Sequence, residues 1–407
     1  MTTWRERLLI IGAGMAAARL LAELAQRCPD RYAVTVAGAE PHGPYNRILL
    51  SSLLAGERCA EDLALEDAQA LPAAEFHLGD PVIALDREER FAITASGARL
   101  AYDRAVLAVG SEPIRPLLPG IDLPGVFTFR DRHDAEALIA ASRLARRAVV
   151  VGGGLLGLEA AHGLARRGVT VTVVHLMDCL MERQIDNDAA RLLQASLAAR
   201  EIGIALNVET VSVIDRGGSA GGVQLKDGTA LPADLVVFAI GIRPNIALAR
   251  AAGLAIKRGI VVDDRMVTSD PRIFAIGECA EHRGATYGLV APLWEQAGVA
   301  AAVLAGDRSS AYCGSLTATS LKVTGVELFS AGAIHATDGA EEIVYEDCEI
   351  GVYRKLVLRG GRIAGAVLLG DARDGGWYVE LMRRAADISA IRGELVFGRD
   401  FVARAGA

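Results

Sequence analysis

Two short apolar runs, each ending in a glycine-rich turn and opening into a helical pattern, predict an α/β fold with two Rossmann-like dinucleotide-binding domains and a small C-terminal α+β domain. The first run, Leu8-Leu9-Ile10-Ile11, leads into Gly12-x-Gly14-x-x-Ala17, and the second, Ala148-Val149-Val150-Val151, leads into Gly152-x-Gly154-x-x-Gly157. Strand, tight turn and helix in that order set a pyrophosphate against backbone N–H groups that lack partners inside the helix, and Gly or Ala stands where backbone must approach phosphate or strand. One such turn also arises from packing alone, whereas two in matching contexts point to two bound dinucleotides. The third observation is an echo: 105–110 (Ala-Val-Leu-Ala-Val-Gly) and 235–241 (Leu-Val-Val-Phe-Ala-Ile-Gly) are both buried-strand patterns that end in glycine.

Residues 7–38 read as a strand, a helix with Leu20, Leu21 and Leu24 on its inner face, and a second strand at 33–36. The loop Pro41-His42-Gly43-Pro44-Tyr45-Asn46 follows, and 74–103 alternates apolar runs with turns in the manner of a small antiparallel sheet. Pro113, Pro116, Pro119 and Pro124 mark a crossing into the second βαβ unit at 148–175, which is followed by a helix over 188–200 and a hairpin around Gly217-Gly218. An Ala-rich helix follows Pro292; from 311 the pattern turns to short strands, with a hairpin around Gly360-Gly361 and a helix over 377–386. The expected domains are 1–115 with 245–310, then 116–244, then 311–407.

Composition excludes several classes. With 407 residues, 52% of them hydrophobic, the chain can bury a large core. A net charge of -7 with no Lys/Arg-rich block gives no electrostatic footprint for nucleic acid. Arg19 and Glu159 cut the apolar stretches too short for a bilayer, and no export signal is visible near Met1, so a cytoplasmic protein is expected. Cys28, Cys59, Cys179, Cys279, Cys313 and Cys348 form no C-x-x-C and no close pair, which predicts neither a metal or iron–sulfur centre nor a redox disulfide.

Together these elements resemble the two-dinucleotide-binding-domain flavoproteins among the pyridine nucleotide oxidoreductases. The likeness is strongest to the NAD(P)H-oxidising flavin region of assimilatory nitrite reductase large subunits and nitrate reductase electron-transfer subunits, and extends to rubredoxin and ferredoxin reductases. Segments that carry it are Pro44-Tyr45-Asn46-Arg47 with Leu50-Ser51-Ser52, 152–161 (GGGLLGLEAA), Val174-His175-Leu176 with Leu180-Met181-Glu182-Arg183-Gln184, Gly241-Ile242-Arg243-Pro244, and Ala275-Ile276-Gly277-Glu278-Cys279. The resemblance implies FAD on the first domain and NADH, with NADPH possible, on the second. Electrons would leave to a redox protein: a nitrate or nitrite reductase component, an iron–sulfur protein or rubredoxin. The alternatives are a rubredoxin or ferredoxin reductase, or a non-catalytic nucleotide sensor.

By this resemblance FAD contacts Gly12, Gly14, Met15, Ala17, Glu40, Arg47, Ser52, Ala108, Gly110, Arg130, Gly277, Glu278, Pro292, Leu293 and Trp294, whereas the pyridine nucleotide meets Gly152, Gly154, Leu155, Leu156, Gly157, His175 and Gly241. Glu278 stands where most members carry Asp and would bind ribitol hydroxyls; Glu40 would hold the adenosine ribose, with Ala39 at the neighbouring acidic position. Arg47 is an apt phosphate partner, although a solvated loop arginine is the ordinary reading. Glu159 is the catalytic candidate near the flavin; the Lys that pairs with it in related reductases is Ser52 here, which leaves Glu159 to face the flavin, the nicotinamide or Arg47. His175 occupies the strand end where NAD-specific proteins carry a ribose-binding acid, and no Arg follows it to meet a 2′-phosphate, which favours NADH. Trp294 is either core or a flavin neighbour.

Overall fold

The first strand is apolar at every core position because both its faces are covered. In the computed structural model, which describes residues 5–65, 74–323, 325–337, 339–347 and 349–405, Leu8, Leu9, Ile10 and Ile11 are each at most 3% exposed. Cys348 lies outside the described residues. Two compact units make up the chain: Met1–Ile48, Cys59–Glu112 and Ile242–Ser315 form the first, and Leu49–Arg58, Pro113–Gly241 and Leu316–Ala407 the second.

In the first unit, Glu6–Ile11 is the middle strand of a five-stranded parallel sheet in the order Ile273–Ala275, Arg104–Leu107, Glu6–Ile11, Tyr32–Gly38, Glu75–Leu78. Register sets Leu8 beside Val34 and Ile10 beside Val106. Helix Met15–Arg27 buries Leu20, Leu21 and Leu24 and packs on helix Val290–Leu304. The latter begins before Pro292, which therefore sits in the first turn, where a missing N–H costs no hydrogen bond. Of the antiparallel sheet expected at 74–103, only Val82–Asp86, Phe91–Thr94 and Arg99–Ala101 form it. Glu75–Leu78 instead extends the parallel sheet, since a half-buried edge strand has the same alternating pattern in either setting.

The second unit repeats the plan with a parallel sheet in the order Gly203–Ala205, Thr170–Val174, Arg147–Val151, Leu235–Phe238, Val126–Thr128. Helix Leu50–Ala55, from the loop after the first βαβ segment, lies on helix Leu155–Arg166: a Cβ on Gly163 would come within 2.7 Å of Leu54 Cγ, so only glycine permits this approach. Strands Ala318–Val323, Val326–Gly332, Ala340–Asp347, Val352–Arg359 and Arg362–Leu369 form a five-stranded antiparallel sheet, in which the last two pair around Gly360 and Gly361. Both glycines have positive φ (55° and 69°), as a two-residue hairpin turn requires. Helix Gly375–Arg383 covers this sheet. Among the described residues no helix is long and apolar enough to cross a membrane.

A buried polar cluster ties the C-terminal sheet to the rest of the second unit. Asp186 caps helix Asn187–Ala198 by accepting from the Ala189 N–H at 3.0 Å, accepts from the Tyr353 hydroxyl at 2.8 Å, and lies 3.0 Å from Lys355 Nζ. Lys355 also meets Glu342 at 2.8 Å, so the buried ammonium has two anionic partners. Burial alone would raise the Asp186 carboxyl, but the Ala189 N–H, Tyr353 hydroxyl and Lys355 ammonium outweigh it and hold the group below its ordinary value. The stabilisation is therefore present above the unfolded carboxylate range and lost as pH falls through the lower folded value. Asp186→Ala removes a cap and one anionic partner of a buried cation; chemical denaturation at pH 7 should show a loss of about 3 kcal/mol, and the gap from wild type should shrink below about pH 4. A loss that is the same at pH 7 and pH 3 would contradict the ionic part of this account.

Candidate functional site

In each unit all strands of the parallel sheet run the same way, so the segments that follow them emerge at one edge. In the first unit that edge gathers Gly12, Glu40, Ala108, Gly110, Gly277 and Glu278; in the second it gathers Arg130, Gly152, His175 and Gly241. Ligands of open α/β sheets bind at this carboxyl edge.

The two turns are built alike. The Gly12 N–H donates to Ala37 O at 2.7 Å and the Gly152 N–H to Val174 O at 2.8 Å, which ties each turn to the next strand. Gly12 (φ +110°) and Gly152 (φ +122°) also sit against the carbonyls that follow the strand on the other side: an added Cβ would come within 2.1 Å of Ala108 O and 2.3 Å of Ala239 O. Gly157 is equally constrained, because its Cβ would fall 1.9 Å from Gly152 O, whereas fully buried Ala17 tolerates its methyl in the first unit. A Cβ on Gly14 or Gly154 would meet nothing within 4 Å. Open space thus faces the N-termini of helices Met15–Arg27 and Leu155–Arg166.

Those helix ends are bare. Neither has a side-chain cap nor an acid in its first turn, while Arg132–Ser142 and Asn187–Ala198 in the second unit are capped by Asp131 and Asp186. Free N–H groups at a positive dipole end, with room in front, suit a pyrophosphate. Buried Met15 and half-buried Leu155 and Leu156 open these two helices.

Around the first turn, Glu278 accepts from the Ser111 hydroxyl at 2.8 Å, and the Gly277 N–H donates to Gln296 Oε1 at 2.7 Å. Gln296 is fully buried on the helix that starts at Val290 with Pro292 and Leu293 inside. Trp294, by contrast, is 45% exposed and carries the Arg19 guanidinium 6.0 Å above its ring, so it is not a core residue. Glu40 and Arg47 pair directly with each other; Glu40 also accepts from the Tyr45 hydroxyl at 2.7 Å, and Arg47 lies over the Tyr45 ring at 4.9 Å. This Glu40–Tyr45–Arg47 cluster orders the loop after the first βαβ unit. Ser111, Gln296 and Tyr45 were not predicted from the sequence.

In the second unit, buried Glu159 lies on the second turn of helix Leu155–Arg166, and Ser52 lies on the helix packed against it. Arg130 donates its backbone N–H to Asp134 Oδ2 at 2.8 Å, just before helix Arg132–Ser142. Gly241 (φ +121°) accepts from the Ile114 N–H at 2.9 Å. The His175 ring sits beneath the turn: its Nδ1 accepts from the Gly153 N–H at 3.1 Å, and Nε2 lies 3.2 Å from Glu182 Oε2.

Among the described residues Cys28, Cys59, Cys179, Cys279 and Cys313 are free thiols. Cys279 is fully buried with Sγ 3.3 Å from Ile276 O, and burial pushes its pKa up to about 12. Burial also raises Cys28 and Cys179, and a hydrogen bond to Asp62 raises exposed Cys59. A thiol kept protonated is a poor nucleophile.

Comparison with known proteins matches residues 6–302 to the profile of the pyridine nucleotide-disulphide oxidoreductases and 318–386 to that of the rubredoxin NAD+ reductase C-terminal domain. The chain is 44% identical to a nitrite reductase [NAD(P)H] of Bacillus subtilis (strain 168) over 95% of its own length and 48% of that protein, and 39% identical to an assimilatory nitrate reductase electron transfer subunit of the same organism over 96% of its length and 51% of that protein. It thus spans about half the length of these curated relatives. Among solved structures, a ferredoxin reductase from Rhodopseudomonas palustris is similar at 28% identity, with a TM-score of 0.86 over 99% of this chain and 100% of that one.

The buried setting of Cys279 makes a direct prediction about reactivity. Brief iodoacetamide treatment of the native protein, read by peptide mass spectrometry, should label exposed Cys313 and spare Cys279, which should react only after unfolding. Native labelling of both at similar rates would show that the Cys279 thiol is reachable and ionisable.

Proposed function

The chain belongs to the pyridine nucleotide-disulphide oxidoreductase family, and on that premise we propose that it oxidises NAD(P)H, NADH by preference, by way of FAD held on the first turn, and delivers the electrons to a separate redox protein. The observation that carries this reading is the doubled turn: each of two sheets sets a glycine against a neighbouring carbonyl and leaves a bare helix N-terminus facing open space. When bound, FAD supplies acceptance of a hydride equivalent from the dihydronicotinamide and its release as electrons to a second protein. The chain supplies the rest.

The N–H groups after Gly14 would neutralise the FAD pyrophosphate and those after Gly154 the pyridine nucleotide pyrophosphate. Glu40 is the acceptor for the adenosine ribose of FAD, with Tyr45 and Arg47 fixing its carboxylate, and Glu278, steadied by Ser111, is the acceptor for ribitol hydroxyls. Gln296 fixes the backbone of Gly277, and the N-terminus of helix Val290–Leu304 favours negative charge on a bound flavin ring. Glu159 holds the catalytic position. Without a Lys at Ser52, it acts there as a buried carboxylate rather than as half of an ion pair with that position.

The electron acceptor is a nitrate or nitrite reductase component, in a cytoplasmic setting. Two observations favour a second reading, a rubredoxin or ferredoxin reductase: residues 318–386 match the C-terminal domain of rubredoxin NAD+ reductase, and a ferredoxin reductase aligns over 99% of the chain.

The test begins with purified protein. It should carry FAD noncovalently and reduce ferricyanide with NADH, and turnover should survive replacement of Cys28, Cys59, Cys179, Cys279, Cys313 and Cys348 by Ser or Ala wherever FAD is retained. Glu278→Ala should weaken FAD retention by about 1–3 kcal/mol through loss of a charge-assisted hydrogen bond. Loss of turnover on replacing a single Cys, with FAD still bound, would establish a thiol mechanism instead.

A further inference from the structure

The strand Thr170–Val174 is followed at once by His175, where a carboxylate would normally discriminate between a ribose hydroxyl and a 2′-phosphate. The loop after it supplies one by another route. The Gly153 carbonyl accepts from the Met181 N–H at 3.0 Å, which folds residues 176–185 back against the nucleotide turn. Met181 takes a left-handed conformation (φ 52°) while fully buried, and its carbonyl accepts from the Gln184 N–H at 2.7 Å and the Ile185 N–H at 3.1 Å, so the backbone on both sides of Glu182 is fixed.

His175 then orients the side chain. Because Nδ1 accepts from the Gly153 N–H, the ring in this geometry carries its proton on Nε2, which is aimed at Glu182 Oε2 3.2 Å away. The histidine is itself held at both ends, its N–H donating to Ala205 O at 2.8 Å and its carbonyl accepting from the Val208 N–H at 3.1 Å. The Glu182 side chain is 28% exposed, so part of it still faces outward from the turn. Leu176 and Met177, which precede it, are exposed and uncharged. Arg183 places its Nε 3.9 Å from Glu182 Oε1, but its side chain is 83% exposed.

We infer that Glu182, positioned by His175, takes the place of the missing strand-end acid: it accepts the adenosine 2′-hydroxyl of NADH and repels the 2′-phosphate of NADPH. The inference rests on the reading of the Gly152 turn as the pyridine nucleotide site, and it assigns specificity to a residue seven positions after His175. A carboxylate fixed by an imidazole N–H meets the same two demands as a strand-end acid, an acceptor for a hydroxyl and a negative charge against a phosphate.

The test measures binding rather than turnover. The FAD-loaded enzyme is titrated calorimetrically with ADP-ribose and with 2′-phospho-ADP-ribose, neither of which can transfer a hydride. Wild type should bind ADP-ribose at least about tenfold more tightly. Glu182→Gln keeps the shape and the bond from His175 but removes the charge, and should narrow that ratio about fivefold or more, chiefly through tighter binding of the phosphorylated ligand. His175→Ala should narrow it in the same direction, and the double variant should add little. An unchanged ratio in Glu182→Gln, with ADP-ribose still bound, overturns the role of Glu182 and leaves the site assignment standing. A wild-type preference for the phosphorylated ligand overturns it too, while failure of wild type to bind either ligand overturns the site assignment itself.

Discussion

The close approach of one glycine to one carbonyl, made twice, is the constraint on which the rest of the structure depends. Gly12 and Gly152 sit where any Cβ would fall almost on the carbonyl oxygens of Ala108 and Ala239. Because each turn is pressed against a neighbouring strand end on one side and hydrogen-bonded to the other neighbour at Ala37 or Val174, the helix that follows has a single path. That path points the helix N-terminus at the carboxyl edge of the sheet, with its first N–H groups free. The sequence meets this constraint with glycine at the contact, apolar residues at every core position of the preceding strand, and no acid or capping side chain at the helix start.

The same economy governs charge near the two turns. Where the architecture leaves N–H groups without partners, acids are kept out of the first helical turn and set one step away, on loops or strand ends, with each one oriented by a neighbour: Glu40 by Tyr45 and Arg47, Glu278 by Ser111, Glu182 by His175. Acceptors fixed beforehand lose little freedom when a hydroxyl-bearing ligand arrives. Buried Asp186 with Lys355 follows a different logic, since it joins the C-terminal sheet to a helix cap inside the second unit.

Much of this was legible in the sequence, for reasons that can be named. The parallel strands show because double burial demands continuous apolar runs, and the hairpin at Gly360-Gly361 shows because its turn demands positive φ twice. Less legible were elements whose local pattern serves two settings. Glu75–Leu78 alternates as either kind of edge strand would, and Leu50–Ala55 is six residues long, too short for a helical period to declare itself. The supporting polar residues were hidden for a different reason: Ser111 meets Glu278 across 167 residues, and Gln296 meets Gly277 across 19, so neither partnership has a spacing to be read. The pairing of Glu40 with Arg47 spans only seven residues and could have been found from opposite charges on one short loop. Trp294 illustrates the converse, a large aromatic residue that sequence reasoning places as readily in a core as beside a flavin, and that the fold leaves 45% exposed.

The central claim is that the two turns bind two different dinucleotides at once, one of them resident. Native mass spectrometry of the purified protein, before and after saturation with NAD+, tests it most directly. The expected result is a chain carrying one FAD that gains one NAD+ without losing the flavin. Displacement of FAD by NAD+, binding of FAD at both turns, or a chain that takes up neither would contradict it.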